Sequence, residues 1–396
     1  MSRPPWRLPV ALDVLDRVAT NLGGRHAVSL EPGSLLQAAA RIERWDDFGD
    51  DGFREPLHNL VQSLQHDADL HVLGRFHLRS VIVRALRTRL RLTRYLFESS
   101  GREEGPRHSP IIVCGLPRTG TTMLHRLLAA LPGLRGLPLW ELVEPLPPKG
   151  EDRRLAQARK RTRRMQWLSG NRLDAQHLMR PELPDECGHL FRPAFLSPAY
   201  AVAPAHSYLT SYYNHDARPA YREYRTYLGI LSNEDPRRLV LKDPFHALFL
   251  DALFEAMPYA MVVQTHRRPQ EVLPSFVKLC TTAQSLVTRR LDMIRTAQTL
   301  HTWLSEVARR SVERAAQGRH DVFDIDYRAL VADPVEAVAA LHHHFALPFD
   351  EAWRKPLQQM VDKSRERPPN PYTLNDYGLD ETGIQATFSG YTGQFL

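Results

Sequence analysis

The sequence predicts an α/β protein: a P-loop-like parallel β-sheet flanked by helices, with a helical N-terminal region and a helical insertion that acts as a lid. Three observations lead there. Short β-branched runs, IIVCG at 111–115, RLVLK at 238–242, AMVVQTH at 260–266 and DVFDIDY at 321–327, are mostly followed by amphipathic stretches. Such alternation builds a parallel sheet with helical crossovers. The first run stops at Gly115, and a glycine-bearing turn leads into a helix-like stretch from Thr121. No apolar run approaches the ~20 residues of a membrane span, and no secretory leader pattern is present.

Taken in order, residues 1–108 read as helical. Spaced apolar positions cover 34–45 and 53–64, and 77–96 is a long basic amphipathic segment whose Arg face is expected in solvent over an apolar stripe. Residues 109–350 form the α/β core. Within it, 145–235 is rich in Pro, Arg and Tyr, with a basic helix-like piece at 151–168, and is read as a lid over the sheet's carboxyl edge. Residues 351–396 are read as a cap: one more short helix, then a polar tail without clear periodicity.

The chain has 396 residues and a net charge of +7, enough to bury a sizeable core. Nucleic-acid binding is one explanation of the charge, but the basic residues are spread along the sequence and a pocket for a multiply charged small ligand explains it equally well; no nucleic-acid partner is expected. Only six of the 52 basic residues are Lys, which singles out a Lys at a structured position such as Lys242. The three cysteines form neither a disulfide framework nor a metal-ligand spacing, and Cys114 is expected as a buried thiol. A cytoplasmic location is expected. The run His342, His343, His344 is read as a solvated helix face, since consecutive helical residues point different ways.

The turn after the first run is the informative motif. Gly115 and Gly120 have the spacing of G-x-x-x-x-G-K-[ST], and Thr122 fills the last place, but position 121 is Thr where a nucleotide loop has Lys. A glycine loop feeding a helix at a strand's carboxyl end offers backbone N–H groups and a positive dipole end to an anion. Thr119, Thr121 and Thr122 add hydroxyls, and Arg118 adds a charge. The missing Lys disfavours an ATPase or kinase, which needs it together with Mg²⁺. A Mg-dependent ATP or GTP phosphotransferase with a degenerate loop stays as the alternative, with Asp324 or Asp326 as its carboxylate.

Two more stretches bear on the choice. THRRPQEVLPSF at 265–276 places Arg267 and Ser275 eight residues apart across a strand end and a helix start, where they can clamp a second phosphate. LVLKDPFHALF at 239–249 places Lys242 at a strand end and His246 shortly after it.

These stretches resemble the PAPS-dependent sulfotransferases, in the bacterial branch with P-R-[ST]-G-T-T loops (PAPS is 3′-phosphoadenosine-5′-phosphosulfate). The family's phosphosulfate loop P-[KR]-x-G-T matches Pro117, Arg118, Thr119, Gly120 and Thr121, and its 3′-phosphate motif R-x-P followed by Ser matches Arg267, Pro269 and Ser275. KDPFH at 242–246, DYRALVADP at 326–334 and YTLNDYGL at 372–379 extend the resemblance over most of 109–396. It implies PAPS as co-substrate, no metal requirement, and transfer of the sulfonate to a hydroxyl of a small-molecule or lipid-like acceptor. Arg118 and Lys242 are then the cationic stabilisers, and Tyr327 is placed against the adenine or in the core. The resemblance leaves the base open. Glu141 ranks first, His246 second, and Glu186, beside Asp185, below both.

Overall fold

The computed structural model describes residues 16, 18, 28–99, 105–169, 179–233, 235–364 and 373–396. Its centre is a five-stranded parallel sheet in the order β2-β3-β1-β4-β5, formed by Ile111–Gly115 (β1), Leu134–Gly136 (β2), Arg238–Lys242 (β3), Met261–His266 (β4) and Val322–Asp326 (β5). β1 is central and buried throughout, as a run apolar on both faces requires. Its side chains alternate between two hydrophobic clusters. Ile112 and Cys114 enter the larger one, while Ile111 and Val113 enter the smaller one with Leu124 and Leu128 of helix Thr121–Ala129 and Val338 of helix Pro334–His344.

The pairing Val113↔Lys242, Gly115↔Thr265 and His266↔Asp326 brings Gly115, Lys242, His266 and Asp326 to one edge, the carboxyl edge of the sheet. Strand β2 escapes the sequence reading. It is three residues long, LRG, and carries no β-branched run. It is strand by virtue of its partner, pairing Leu134 with Arg238.

The N-terminal helices Pro32–Glu43, Arg54–His66 and Val72–Glu98 share the larger cluster with the sheet. Within the expected lid, Tyr208, Tyr221, Tyr224 and Tyr227 are fully buried in that same cluster. The expected solvated Arg face on the third helix is corrected in part. Arg89 is buried, donates to the carbonyls of Phe48 and Asp50, and pairs with Glu223. Arg79 and Arg94 also donate to backbone carbonyls of the preceding segments. The guanidiniums thus satisfy carbonyls that apolar neighbours could not.

Two more expectations change. His342 is buried, its Nδ1 2.7 Å from the Pro348 carbonyl, so only His343 and His344 face solvent. After helix Arg354–Ser364 the described tail forms Glu381–Thr387 and Ser389–Phe395, and Tyr391 is buried. Cys114, Cys187 and Cys280 are free and buried, and burial raises the Cys114 thiol pKa. Tyr372, the first residue of the YTLNDYGL motif, lies outside the described residues.

Candidate active site

The loop between β1 and helix Thr121–Ala129 needs its glycines. Gly115 sits at φ +129°, and a Cβ there would stand 2.3 Å from the Thr265 carbonyl oxygen of the adjacent strand. Gly120 sits at φ +86°, against Leu330 and Tyr327. Arg118 takes φ 66°, a left-handed conformation uncommon for a residue with a Cβ. Thr119 is fully buried and fastens the loop, donating to the Leu116 carbonyl at 2.6 Å and meeting the Thr265 hydroxyl at 2.5 Å. Thr121 is buried at the helix start and Thr122 is partly exposed beside it. Pro117 is buried in the turn.

Arg118 Nε donates to Ser275 Oγ at 3.0 Å, and Arg267 Nη1 donates to the Arg118 carbonyl at 3.1 Å. Arg267 comes from the end of β4 and Ser275 from helix Pro269–Gln284, where Pro269 occupies the first turn. The Arg267 guanidinium lies 4.1 Å from the ring centroid of Tyr327, and its Nε donates to Glu271. Loop, strand end, helix and Tyr327 therefore form one basic patch at the carboxyl edge, where parallel sheets bind ligands.

Lys242 lies on the other side of β1, only 1% exposed, and its Nζ donates to Glu186 Oε1 at 2.7 Å. Glu186 itself is 35% exposed, so the carboxylate partly faces solvent while the ammonium is held inside. Next to Lys242, Asp243 is buried, and a Cβ on Gly188 would come within 1.7 Å of its Oδ2. Burial and the neighbouring Glu186 push the Asp243 carboxyl above its usual range. Sequence reading passed over Asp243 and Gly188. Nothing in the pattern KDPFH marks which carboxyl is enclosed.

The other base candidates are placed elsewhere. His246 is buried, with Nδ1 2.7 Å from the Tyr221 hydroxyl and Nε2 3.2 Å from Cys187 Sγ. Burial holds its pKa down at about 3. Glu141 accepts two bonds from Arg135, at 2.7 and 2.6 Å. It lines a cleft with Asp235 and Arg237, residues that precede β3, so it stands at the entry of that strand and Lys242 at its exit. Asp185 packs beside β2, its backbone N–H bonded to the Leu137 carbonyl.

The carboxylates of β5 are held by cations. Asp324 accepts from Arg314 and lies 2.7 Å from His266 Nε2. Asp326 caps helix Tyr327–Ala332 through the Arg328 N–H and binds the Arg328 side chain. His266, which the sequence reading also missed, stacks on Phe395 at 3.9 Å and meets the Tyr391 hydroxyl at 2.9 Å, tying the C-terminal helix to the residue before Arg267. Among the described residues no group of three or more His, Cys, Asp or Glu is placed to hold a metal ion. No helix among them is long and apolar enough to cross a membrane.

The glycine loop at the central strand, the Arg118–Ser275–Arg267 arrangement one strand over and the buried Lys242 on the other side all lie at the carboxyl edge of one parallel sheet, where such folds bind ligands. Residues 110–351 match the model of the sulfotransferase family, and the chain belongs to that family. The fold is similar to sulfotransferase STF1 from Mycobacterium tuberculosis H37Rv, with TM-score 0.74, 29% identity, and 91% of this chain and 98% of that one covered. It is also similar to sulfotransferase STF9 from Mycobacterium avium, with TM-score 0.83, 23% identity, and 92% and 96% covered. No curated protein matches.

Proposed function

We propose that this sulfotransferase moves the sulfonate of PAPS to a hydroxyl of a small-molecule or lipid-like acceptor in the cytoplasm, giving a sulfate ester and adenosine 3′,5′-bisphosphate. The observation that carries this reading is the meeting of Arg118, Ser275 and Arg267. Two separate motifs join into one patch whose cations and hydroxyls suit two anionic groups on one ligand. The loop after Pro117 holds the 5′-phosphosulfate on the amides of 118–122 and the hydroxyls of Thr121 and Thr122, the Thr119 hydroxyl being used to fasten the loop, and Arg267 with Ser275 takes the 3′-phosphate. Tyr327 orients Arg267 from its ring face.

In the reaction an acceptor oxygen forms a bond to sulfur. The sulfur–oxygen bond to the 5′-phosphate breaks, and its electron pair leaves with the bisphosphate. Arg118 stabilises charge on the departing phosphate oxygen, and Lys242 stabilises the sulfonate in flight. The acceptor proton goes to Glu186. Among the three base candidates Glu186 alone combines partial exposure with contact to Lys242. His246 has both ring nitrogens engaged and is held neutral by burial, and Glu141 is committed to Arg135.

The test is thermal stabilisation by adenosine 3′,5′-bisphosphate without metal, beside ADP with Mg²⁺, on wild type and Ser275→Ala. Stabilisation by the bisphosphate alone, weakened in Ser275→Ala, supports the reading. Stabilisation by ADP with Mg²⁺ alone replaces it with the phosphotransferase.

A further inference from the structure

A second basic cluster is carried by helices Val72–Glu98 and Arg154–Ser169 and by the segment Cys187–Ala194 that follows Glu186. His77, Arg84 and Arg91 recur every seven residues on helix Val72–Glu98, so they share one face. Arg161 and Arg164 are three apart on helix Arg154–Ser169 and share another. Glu144 binds the two helices together, accepting from Arg91 at 3.0 Å and from Arg161 at 2.7 Å. That carboxylate is thereby used.

The remaining guanidiniums are not matched. Among the described residues, the side chains of Arg84, Arg164 and Arg192 have no hydrogen-bond acceptor and no ion pair. Arg192 sits in the helical segment Cys187–Ala194, and its Nε is shut off from solvent without a partner. A buried, unpaired donor of this kind costs stability, and a bound acceptor removes that cost.

The groups act on one another. Burial, then Arg84, Arg192 and Arg164 in that order, hold His77 down to about 4, so it is neutral at pH 7 and adds no charge. Burial and Arg161 lower Arg84 to about 10, with Glu144 opposing. The carboxylates facing Arg192 are Asp185 and Glu186, and Lys242 already binds the second of these. Among these described residues, three carboxylates, Glu144, Asp185 and Glu186, stand against six cations, Arg84, Arg91, Arg161, Arg164, Arg192 and Lys242.

We infer that Arg84, Arg164 and Arg192 form an anion subsite next to the Lys242–Glu186 pair, so that the acceptor is a hydroxyl compound which also carries a phosphate or carboxylate group. The inference rests on the proposed function for the position of the reacting hydroxyl. Guanidinium forks suit both anion types, since each presents paired oxygens in a plane. Arg192 follows Glu186 by six residues of tight helix, on the order of 12 Å of backbone, which sets the anion several bonds from the hydroxyl.

The experiment uses the full chain saturated with adenosine 3′,5′-bisphosphate, so that the donor patch is filled. Phenyl phosphate and benzoate are titrated separately, with benzyl alcohol as the neutral control. Both anions should raise the melting temperature further, and benzyl alcohol should not. Arg192→Gln and Arg164→Gln should each weaken the anions roughly tenfold, the loss of a charged hydrogen bond. Arg164 is exposed, so its variant keeps the test valid if Arg192→Gln folds poorly. The inference is overturned if the anions displace the bisphosphate, if both variants bind them as well as wild type, or if benzyl alcohol binds equally. If the bisphosphate fails to bind while phenyl phosphate still depends on Arg164, the anion subsite stands and the donor assignment falls.

Discussion

Arg118 Nε lies 3.0 Å from Ser275 Oγ, across 157 positions of sequence. The bond joins the loop after β1 to the helix after β4. Arg267 closes the same arrangement by donating to the Arg118 carbonyl. On the proposed function, a ligand with one anionic group on the loop and another on the clamp is gripped by groups that position one another.

Ser275→Ala removes the hydroxyl from this arrangement. Adenosine 3′,5′-bisphosphate should bind roughly five- to tenfold more weakly, the worth of about one hydrogen bond to a charged group. Calorimetric titration checks this, and the affinity should not change on adding Mg²⁺. An unchanged dissociation constant would remove Ser275 from the donor site.

Glu186→Gln should lower kcat by on the order of 10²–10⁴ while leaving bisphosphate affinity near wild type, as loss of a general base does. Glu141→Gln should act on stability instead. It weakens the pair with Arg135, and Asp235, 3.4 Å from Arg135, compensates in part. A cost of about 2 kcal/mol is expected, below that of a fully broken buried pair. Steady-state kinetics and denaturant unfolding on both variants separate the roles. A large kcat loss in Glu141→Gln with normal stability would move the base there.

Gly115→Ala should destabilise the fold by about 2–4 kcal/mol, because the new methyl meets the Thr265 carbonyl and the backbone stays at positive φ. Urea midpoints measure it. Gly150→Ala is the control: it also has positive φ, but nothing lies within 4 Å of its Cβ position, so the difference isolates the clash.

Acid sensitivity follows from His125. It is buried, with Nε2 3.0 Å from the Val240 carbonyl, and burial lowers it from 6.5 to about 3. Between those values the unfolded chain binds a proton that the folded chain does not. The stability that neutral His125 contributes is whole above about 6.5 and is lost as pH falls toward 3. His125→Gln keeps a donor for Val240 and carries no titrating group. Its unfolding free energy should fall less steeply over that range than wild type. Parallel curves would show that His125 does not set the slope.

The C-terminal helix should matter to the donor clamp. Tyr391→Phe removes the hydroxyl that His266 meets at 2.9 Å, one residue before Arg267. A stability loss of about 1 kcal/mol and a two- to fivefold weaker bisphosphate are expected. Equal affinity in Tyr391→Phe would limit this helix to a packing role.

What local chemistry dictates was readable in the sequence. The run IIVCG is apolar on both faces and ends at a glycine, so β1 and the loop could be placed to the residue. Four strands of the sheet and the start of the loop helix follow from periodicity and from Gly and Pro alone. The loop and R-x-P stretches show which residues can bind anions, because the residue types themselves carry the charge and the hydroxyls. Tertiary structure decided the rest. β2 is a strand because β3 lies beside it, and Arg89 is buried because carbonyls of another segment need a donor. Only the tertiary structure shows that Glu141 is held by Arg135, His246 by Tyr221 and Cys187, and Glu186 by Lys242, and the proposal of Glu186 as base rests on those partners. Burial and pairing arise between residues far apart in the chain, and a single sequence does not specify those distances.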